Sequence, residues 1–419
     1  MIFLLVLFSA GHLPSLCNAL EDVKFRGKLM TDFYQYTYSD GGKSNWRSGM
    51  RCDIASEKLF IKGLQFAADV KYRYYGSQWK NSVKSVYELA LSYRPPNDGI
   101  YWKGGRFNLY DLSGIGELDG GAVGWSFSKN TLAGYYYGYE PNLLYLDTDP
   151  DYQKQGVFFH YRELPNLKTI FSYNQIEFQG LTERAFLYGQ AYITFLEKIY
   201  SYQHLEYEMG PLQENHLTRL FCNTRFDLTN SVSMTGSYYS GRGYDYHRII
   251  LEKIRSGQQP ASEDLKPFYW YQNLNFRASF RWRKNLRFSG HTSLACKEKG
   301  GDILPRYGIS YSVDGLLEGK VGGFIRLTRT VGINTIRNML YVDIESQINN
   351  RLSCGFNYSN YTFQLKEEDD TIICPPNSHE YGLNFSLRMN RHFFIYGYIQ
   401  YIMETQNCLQ NYLSFVYRL

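Results

Sequence analysis

Residues 380–419 form three short runs in which apolar and polar side chains alternate. In 380–389, Tyr381, Leu383, Phe385, Leu387 and Met389 fall on one face, while Gly382, Asn384, Ser386 and Arg388 fall on the other. A period of two is the mark of a strand with one apolar and one wet face. The same alternation runs through 273–283, where Leu274, Phe276, Ala278, Phe280 and Trp282 oppose Asn275, Arg277, Ser279, Arg281 and Arg283. It also runs through 317–328, where Leu317, Gly319, Val321, Gly323, Ile325 and Leu327 oppose Glu318, Lys320, Gly322, Phe324, Arg326 and Thr328. A soluble sandwich and a membrane barrel both alternate in this way. What separates the repeats decides between them.

About 22 such segments lie between Lys24 and Leu419, most of roughly 9–16 residues, enough to cross a bilayer at a tilt. One set of breaks is tight: 57–59, 95–98, 129–130, 164–166, 197–198, 229–230, 284–285, 314–316, 349–350 and 390–391. The other set is mostly longer: 40–45, 76–81, 109–118, 141–152, 179–182, 210–215, 243–270, 298–303, 330–334, 366–378 and 405–410. The two sets alternate along the chain. Tight turns at one rim and long loops at the other are the asymmetry of outer-membrane barrels. The expected fold is all-β, a transmembrane antiparallel β-barrel of about 22 strands, with both termini on the periplasmic side.

Composition agrees. The chain has 40 Tyr, 27 Phe and 37 Gly, and 17% of its residues are aromatic, which suits interfacial girdles. Mean hydropathy is low, as a polar lumen requires. Residues 1–19 are apolar from Ile2 to Ala10 and end in Cys17-Asn18-Ala19, which reads as a signal peptide ahead of a barrel domain over 20–419. A buried first strand is the alternative. After residue 19 no run approaches the length of a membrane helix, so a membrane location demands a closed barrel. The net charge of +5 is too mild to imply nucleic acid as a partner.

The whole stretch after residue 19 resembles porin-like outer-membrane β-barrels of Gram-negative bacteria. The resemblance is sharpest from Gly104-Gly105-Arg106 through Glu117-Leu118-Asp119-Gly120-Gly121-Ala122-Val123-Gly124-Trp125, which looks like a recurrent hairpin of large porin-like proteins. The terminal Phe415-Val416-Tyr417-Arg418-Leu419 has the spacing of the aromatic end such proteins carry, with Leu in the last place. The resemblance implies a bacterial outer-membrane location, lipid around the barrel and transport through it. It implies no catalytic motif.

Candidate chemistry is sparse. Arg277, Arg281, Arg283, Arg287, His291, Lys320 and Arg326 share the wet parity of three neighbouring strands, a basic wall able to concentrate anions. The bland reading pairs them with Glu206, Glu208, Asp343 and Glu345, giving a network that selects nothing. Ile249, Ile250, Leu251 and Ile254 have helical spacing in the longest loop. That segment is expected as a lumen constriction, an outer lid or continued strand. Cys374 and Cys408 lie on loops at one rim, where an oxidising compartment permits a disulfide. Residues 367–370 are acidic and read as a solvated loop tip rather than a metal site. The Gly-rich 114–124 stretch has no phosphate-loop Lys and reads as a turn feeding a strand.

The eight histidines form no catalytic spacing, so no enzyme and no cofactor are expected. The expected function is a porin-like channel for passive passage of small polar or anionic solutes. The alternative is a sheath around a lumen-filling partner protein, an electron-conduit or polymer-export subunit. With no plug domain expected ahead of the first strand, the lumen is open, blocked by a loop or filled by a partner.

Overall fold

The computed structural model describes residues 24–38, 44–59, 62–75, 83–96, 98–110, 112–141, 148–163, 166–209, 216–243, 269–296, 303–332, 335–366, 372–373, 377–404 and 407–419. The strands are β1 (Lys24–Tyr38), β2 (Asn45–Lys58), β3 (Leu64–Tyr75), β4 (Val83–Tyr93), β5 (Gly99–Asn108), β6 (Glu117–Ser126), β7 (Thr131–Pro141) and β8 (Thr148–Glu163). They continue as β9 (Leu167–Phe178), β10 (Leu181–Phe195), β11 (Ile199–Glu208), β12 (His216–Asp227), β13 (Val232–Gly243), β14 (Tyr269–Arg283), β15 (Leu286–Cys296) and β16 (Ile303–Gly315). The last are β17 (Val321–Val331), β18 (Thr335–Gln347), β19 (Leu352–Lys366), β20 (Ile372–Ile373), β21 (Ser378–Arg388), β22 (Phe393–Met403) and β23 (Cys408–Arg418).

Each wall strand pairs antiparallel with its neighbour in sequence, and β23 returns to β1 from Lys28↔Arg418 to Tyr38↔Cys408. The two-residue β20 only extends the end of β19, which pairs directly with β21. The result is a closed antiparallel barrel of 22 strands. Closure satisfies every ladder and leaves no edge, which is what a strand needs to cross lipid.

The outer face is apolar around the whole wall. Ile100, Trp125, Phe159, Phe171, Leu274, Phe276, Leu327, Leu383 and Phe415 all point outward and are exposed. A belt of this extent belongs against hydrocarbon. The barrel is of the outer-membrane type, and its even strand count puts both ends of the wall on one rim.

The tight turns of that rim are written into short polar side chains. Asn349 Oδ1 accepts from the amides of Arg351 and Leu352 at 2.8 and 2.9 Å, and Asn390 Oδ1 does the same for His392 and Phe393, both at 2.8 Å. Thr229 Oγ1 accepts from Ser231 and Val232 at 3.1 and 3.0 Å. Each side chain supplies the acceptor that the turning backbone lacks.

Two expectations fail locally. Residues 179–182 were expected as a longer break, but Gln179 and Gly180 alone turn the chain, with φ of 49° and 80°. That is a primed two-residue hairpin turn. Residues 317–320 were expected within a strand, but 316–319 form one helical turn and β17 starts at Val321. Gly315 at φ 74° and Gly319 at φ 88° take left-handed conformations that interrupt the alternation read there.

Candidate functional site: an asymmetric lumen

The inner face divides into two unlike halves. On β5–β10 many inward positions are apolar: Phe107, Leu118, Leu132, Tyr136, Phe158, Ile170, Ile176, Phe178 and Phe186 are all buried. They interdigitate large over small. The Tyr136 ring lies over Gly156, where a Cβ would meet its hydroxyl at 2.6 Å, and Phe158 lies over Gly134.

They are covered by the connection between β5 and β6, whose described residues, 109–110 and 112–116, pack inward. Leu109 and Ser113 are wholly buried and Ile115 nearly so. The loop is knitted by Leu109 N to Gly116 O at 3.0 Å and Ser113 N to Leu109 O at 2.8 Å. Its tip is bolted to the wall. The Ser113 carbonyl accepts from Ser172 Oγ at 2.8 Å and Asn174 Nδ2 at 3.2 Å, and Asn174 Oδ1 accepts from Tyr136 at 2.7 Å. Gly114 has φ 71° and lies flat on the Tyr188 ring, so a Cβ there would come within 2.5 Å of it. This loop sits in the hairpin that carries the sequence resemblance. It was read as a turn feeding a strand, and its inward packing was not foreseen.

A signal for it does exist. The runs Tyr135-Tyr136-Tyr137, Val157-Phe158-Phe159 and Phe186-Leu187-Tyr188 are apolar on both faces. A strand apolar on both faces is buried on both.

Beside this core, an ionic cluster ties β7, β8 and β10–β12 together on the lumen side. Lys154 pairs with Glu140 at 3.1 Å. Arg184 pairs with Glu208 at 3.0 Å and Glu206 at 3.5 Å, and Arg219 pairs with Glu206 at 2.9 Å. Glu206 and Glu208 therefore engage arginines of their own neighbourhood rather than the basic wall. Next along the wall, Tyr192, Tyr202, His204 and Phe221 stack on one another with centroids 4.4–5.8 Å apart.

The other half is polar. From β13 to β18 the inward positions are held mainly by Ser, Thr, Asn, Tyr and charged residues, with Phe324 and Met339 among them. Register places Thr235 opposite Arg277, Arg277 opposite His291, and Arg281 opposite Arg287. Ser293 faces Arg306, and Ser310 faces Arg326. Five of the seven residues expected in the basic wall thus share it: Arg277, Arg281, Arg287, His291 and Arg326. Arg306 joins them and was missed, because β16 was not read for face.

Two residues leave the wall. A bulge after Arg281 sets Arg283 opposite Leu286 instead of continuing the lumen register. Lys320 lies in the turn ahead of β17 rather than on a strand, because of the glycine-flanked helical turn.

Among the described residues, Arg277, Arg281, Arg287, Arg306 and Arg326 make no salt bridge. Two of them have neutral partners instead. Arg277 Nη2 donates to Ser289 at 3.2 Å, and Arg326 lies over the Phe324 ring at 4.9 Å. Asp343 and Glu345, on β18, form no ion pair with them either. A second set of cations on β2 and β3, also missed, is partly compensated. Arg51 is bound in a fork by Asp69, and Arg47 lies over the Tyr34 ring at 4.7 Å.

Ile249, Ile250, Leu251 and Ile254, expected as a constriction, lid or continued strand, lie outside the described residues, as do the expected leader over 1–19, the acidic run 367–370 and Cys374. Cys408 is buried at the start of β23. Among the described residues no three His, Cys, Asp or Glu converge as metal ligands.

No protein-family model matches this chain, and no curated protein matches its sequence. Solved structures do resemble its fold. The outer membrane protein OprD from Pseudomonas aeruginosa is 10% identical, with 94% of each chain covered and a TM-score of 0.45. Pseudomonas aeruginosa OpdO is 10% identical over 96% of this chain and 99% of that one, with a TM-score of 0.47. Acinetobacter baumannii OccAB1 is 11% identical over 96% and 98%, with a TM-score of 0.46. These are likenesses of chain path, and the barrel and its lumen stand on the residues described above.

Proposed function

We propose that the chain is a passive porin-like channel of the bacterial outer membrane that admits small polar solutes and prefers anions. One observation carries the reading: the polar half of the lumen presents a row of cations that, among the described residues, have no carboxylate paired to them. Fixed like charge along a confined aqueous path raises the local concentration of counter-ions. The packed half supports the same reading by narrowing a wide barrel.

The rival, a sheath around an electron-carrying or polymer-exporting subunit, needs room for another chain. The half lined by β5–β10 is already filled by the protein's own side chains, which favours the channel.

Reversal potentials across planar bilayers in a salt gradient test the proposal. The native channel should select anions, and Arg277→Glu with Arg281→Glu should lower the anion:cation ratio or invert it. An unchanged ratio in a conducting pore would make the wall structural only.

A further inference from the structure

At the rim of tight turns the basic wall deepens into a cavity of about 580 Å³ between the turns that follow β10 and β12 and the adjacent ends of β13–β15. Arg277, Arg281 and Arg287 line it together with Ser233 and Ser279. The cavity's fourth guanidinium, Arg225, is neutralised by Asp227 at 2.8 Å. Glu197 and Lys198 also line it and carry opposite charges that cancel in the sum. Three uncompensated guanidiniums remain, with hydroxyls between them.

We infer that this cavity is a binding site for a tetrahedral phosphate oxyanion, free or as a small phosphate monoester. The inference rests on the channel reading above and assigns its exit a substrate class. A monocarboxylate would answer only one of the three charges. A phosphate dianion answers two and offers acceptors in four directions, each able to take a guanidinium fork or a hydroxyl proton. The donor set suits a ligand made of acceptors: Arg277, Arg281 and Arg287 cannot accept, and the serine hydroxyls rotate to donate. A lipid headgroup is the wrong source, because Arg277, Ser279, Arg281 and Arg287 share the lumen register while Phe280 and Phe288 of the same strands face outward and exposed.

The test is calorimetric titration of the full-length barrel, folded in detergent at low ionic strength, with inorganic phosphate, glycerol phosphate and acetate in separate runs. The expected result is saturable binding of at least one phosphate species and none of acetate at the same concentrations. If both phosphates bind, the site reads the phosphate group; if only one binds, it names the source. Arg281→Gln with Arg287→Gln should weaken phosphate binding by about tenfold or more, since charge-assisted bonds are lost. Heat-modifiable gel migration checks folding of the variant, and Arg277→Gln alone serves if the double change does not fold.

Acetate binding as well as phosphate, no saturable phosphate binding, or unchanged binding in the folded variant would each overturn the inference. The measurement does not depend on conductance. An anion-selective pore that fails to bind phosphate would sink this site alone, whereas phosphate binding by a protein that does not conduct would sink the channel alone.

Discussion

The two halves of this lumen share one wall geometry and differ in how their inward side chains are packed. β9 presents Ile170, Ser172, Asn174, Ile176 and Phe178, all buried. β14 presents Asn273, Asn275, Arg277, Ser279 and Arg281, none of them buried. Outside, Phe171 and Phe276 meet lipid alike. A barrel strand is therefore specified twice, once for the bilayer and once for the interior. Only the second message separates a packed core from an aqueous path. On the packed side, loop 109–116 supplies the cover that lets apolar residues face inward without touching water. On the polar side no such cover exists among the described residues, and the charges stay solvated.

The largest expected effect contrasts the two interiors. Ile170→Arg buries an unpaired cation in the packed half and should cost several kcal/mol, enough to abolish recovery of heat-modifiable barrel. Ser237→Arg, inward on β13 in the polar half, should fold normally. Equal damage at both positions would mean that the halves are not distinct.

Charges on the outside should make no such distinction. Phe171→Arg on the packed side and Phe276→Arg on the polar side should each destabilise insertion by roughly 2–4 kcal/mol. Denaturant titration of barrels in lipid vesicles measures this. A marked difference between the two would show that one of these positions does not face the hydrocarbon.

A smaller effect should come from the bolt between loop and wall. Asn174→Ala removes the donor to Ser113 and the acceptor for Tyr136, at a cost of about 1–3 kcal/mol. The barrel should still form, but the loop tip should loosen and single-channel conductance should rise. Unchanged conductance with lowered stability would mean that the loop does not border the permeation route.

The difference between the halves also explains what could be read from the residues alone. Alternation such as Leu274-Asn275-Phe276-Arg277 gives strand, face and membrane together, because one side is polar and the other is not. The turn polarity and the closed 22-strand wall follow from the spacing of such runs. The packed half resists this reading: Tyr135-Tyr136-Tyr137 has no polar face to mark the lumen. The loop covering it, Leu109 to Gly116, consists of ordinary loop residues whose burial depends on partners such as Ser172 and Asn174, far along the chain. Arg283 and Lys320 were misplaced for a local reason. A bulge and a helical turn each shift the two-residue period by a step, and parity carries no warning of either.

The central claim is that one half of the barrel interior is dry and the other conducts. Paired cysteine substitutions at inward serines test it directly, with a charged, membrane-impermeant thiol reagent added during single-channel recording. Ser310→Cys lies on the polar side, and Ser172→Cys lies under loop 109–116. The unsubstituted protein controls for native thiols such as Cys52, Cys222 and Cys354. The account predicts a stepwise fall in current on modification at position 310 and no change at position 172. Modification at 172 with a current step equal to that at 310 would contradict it.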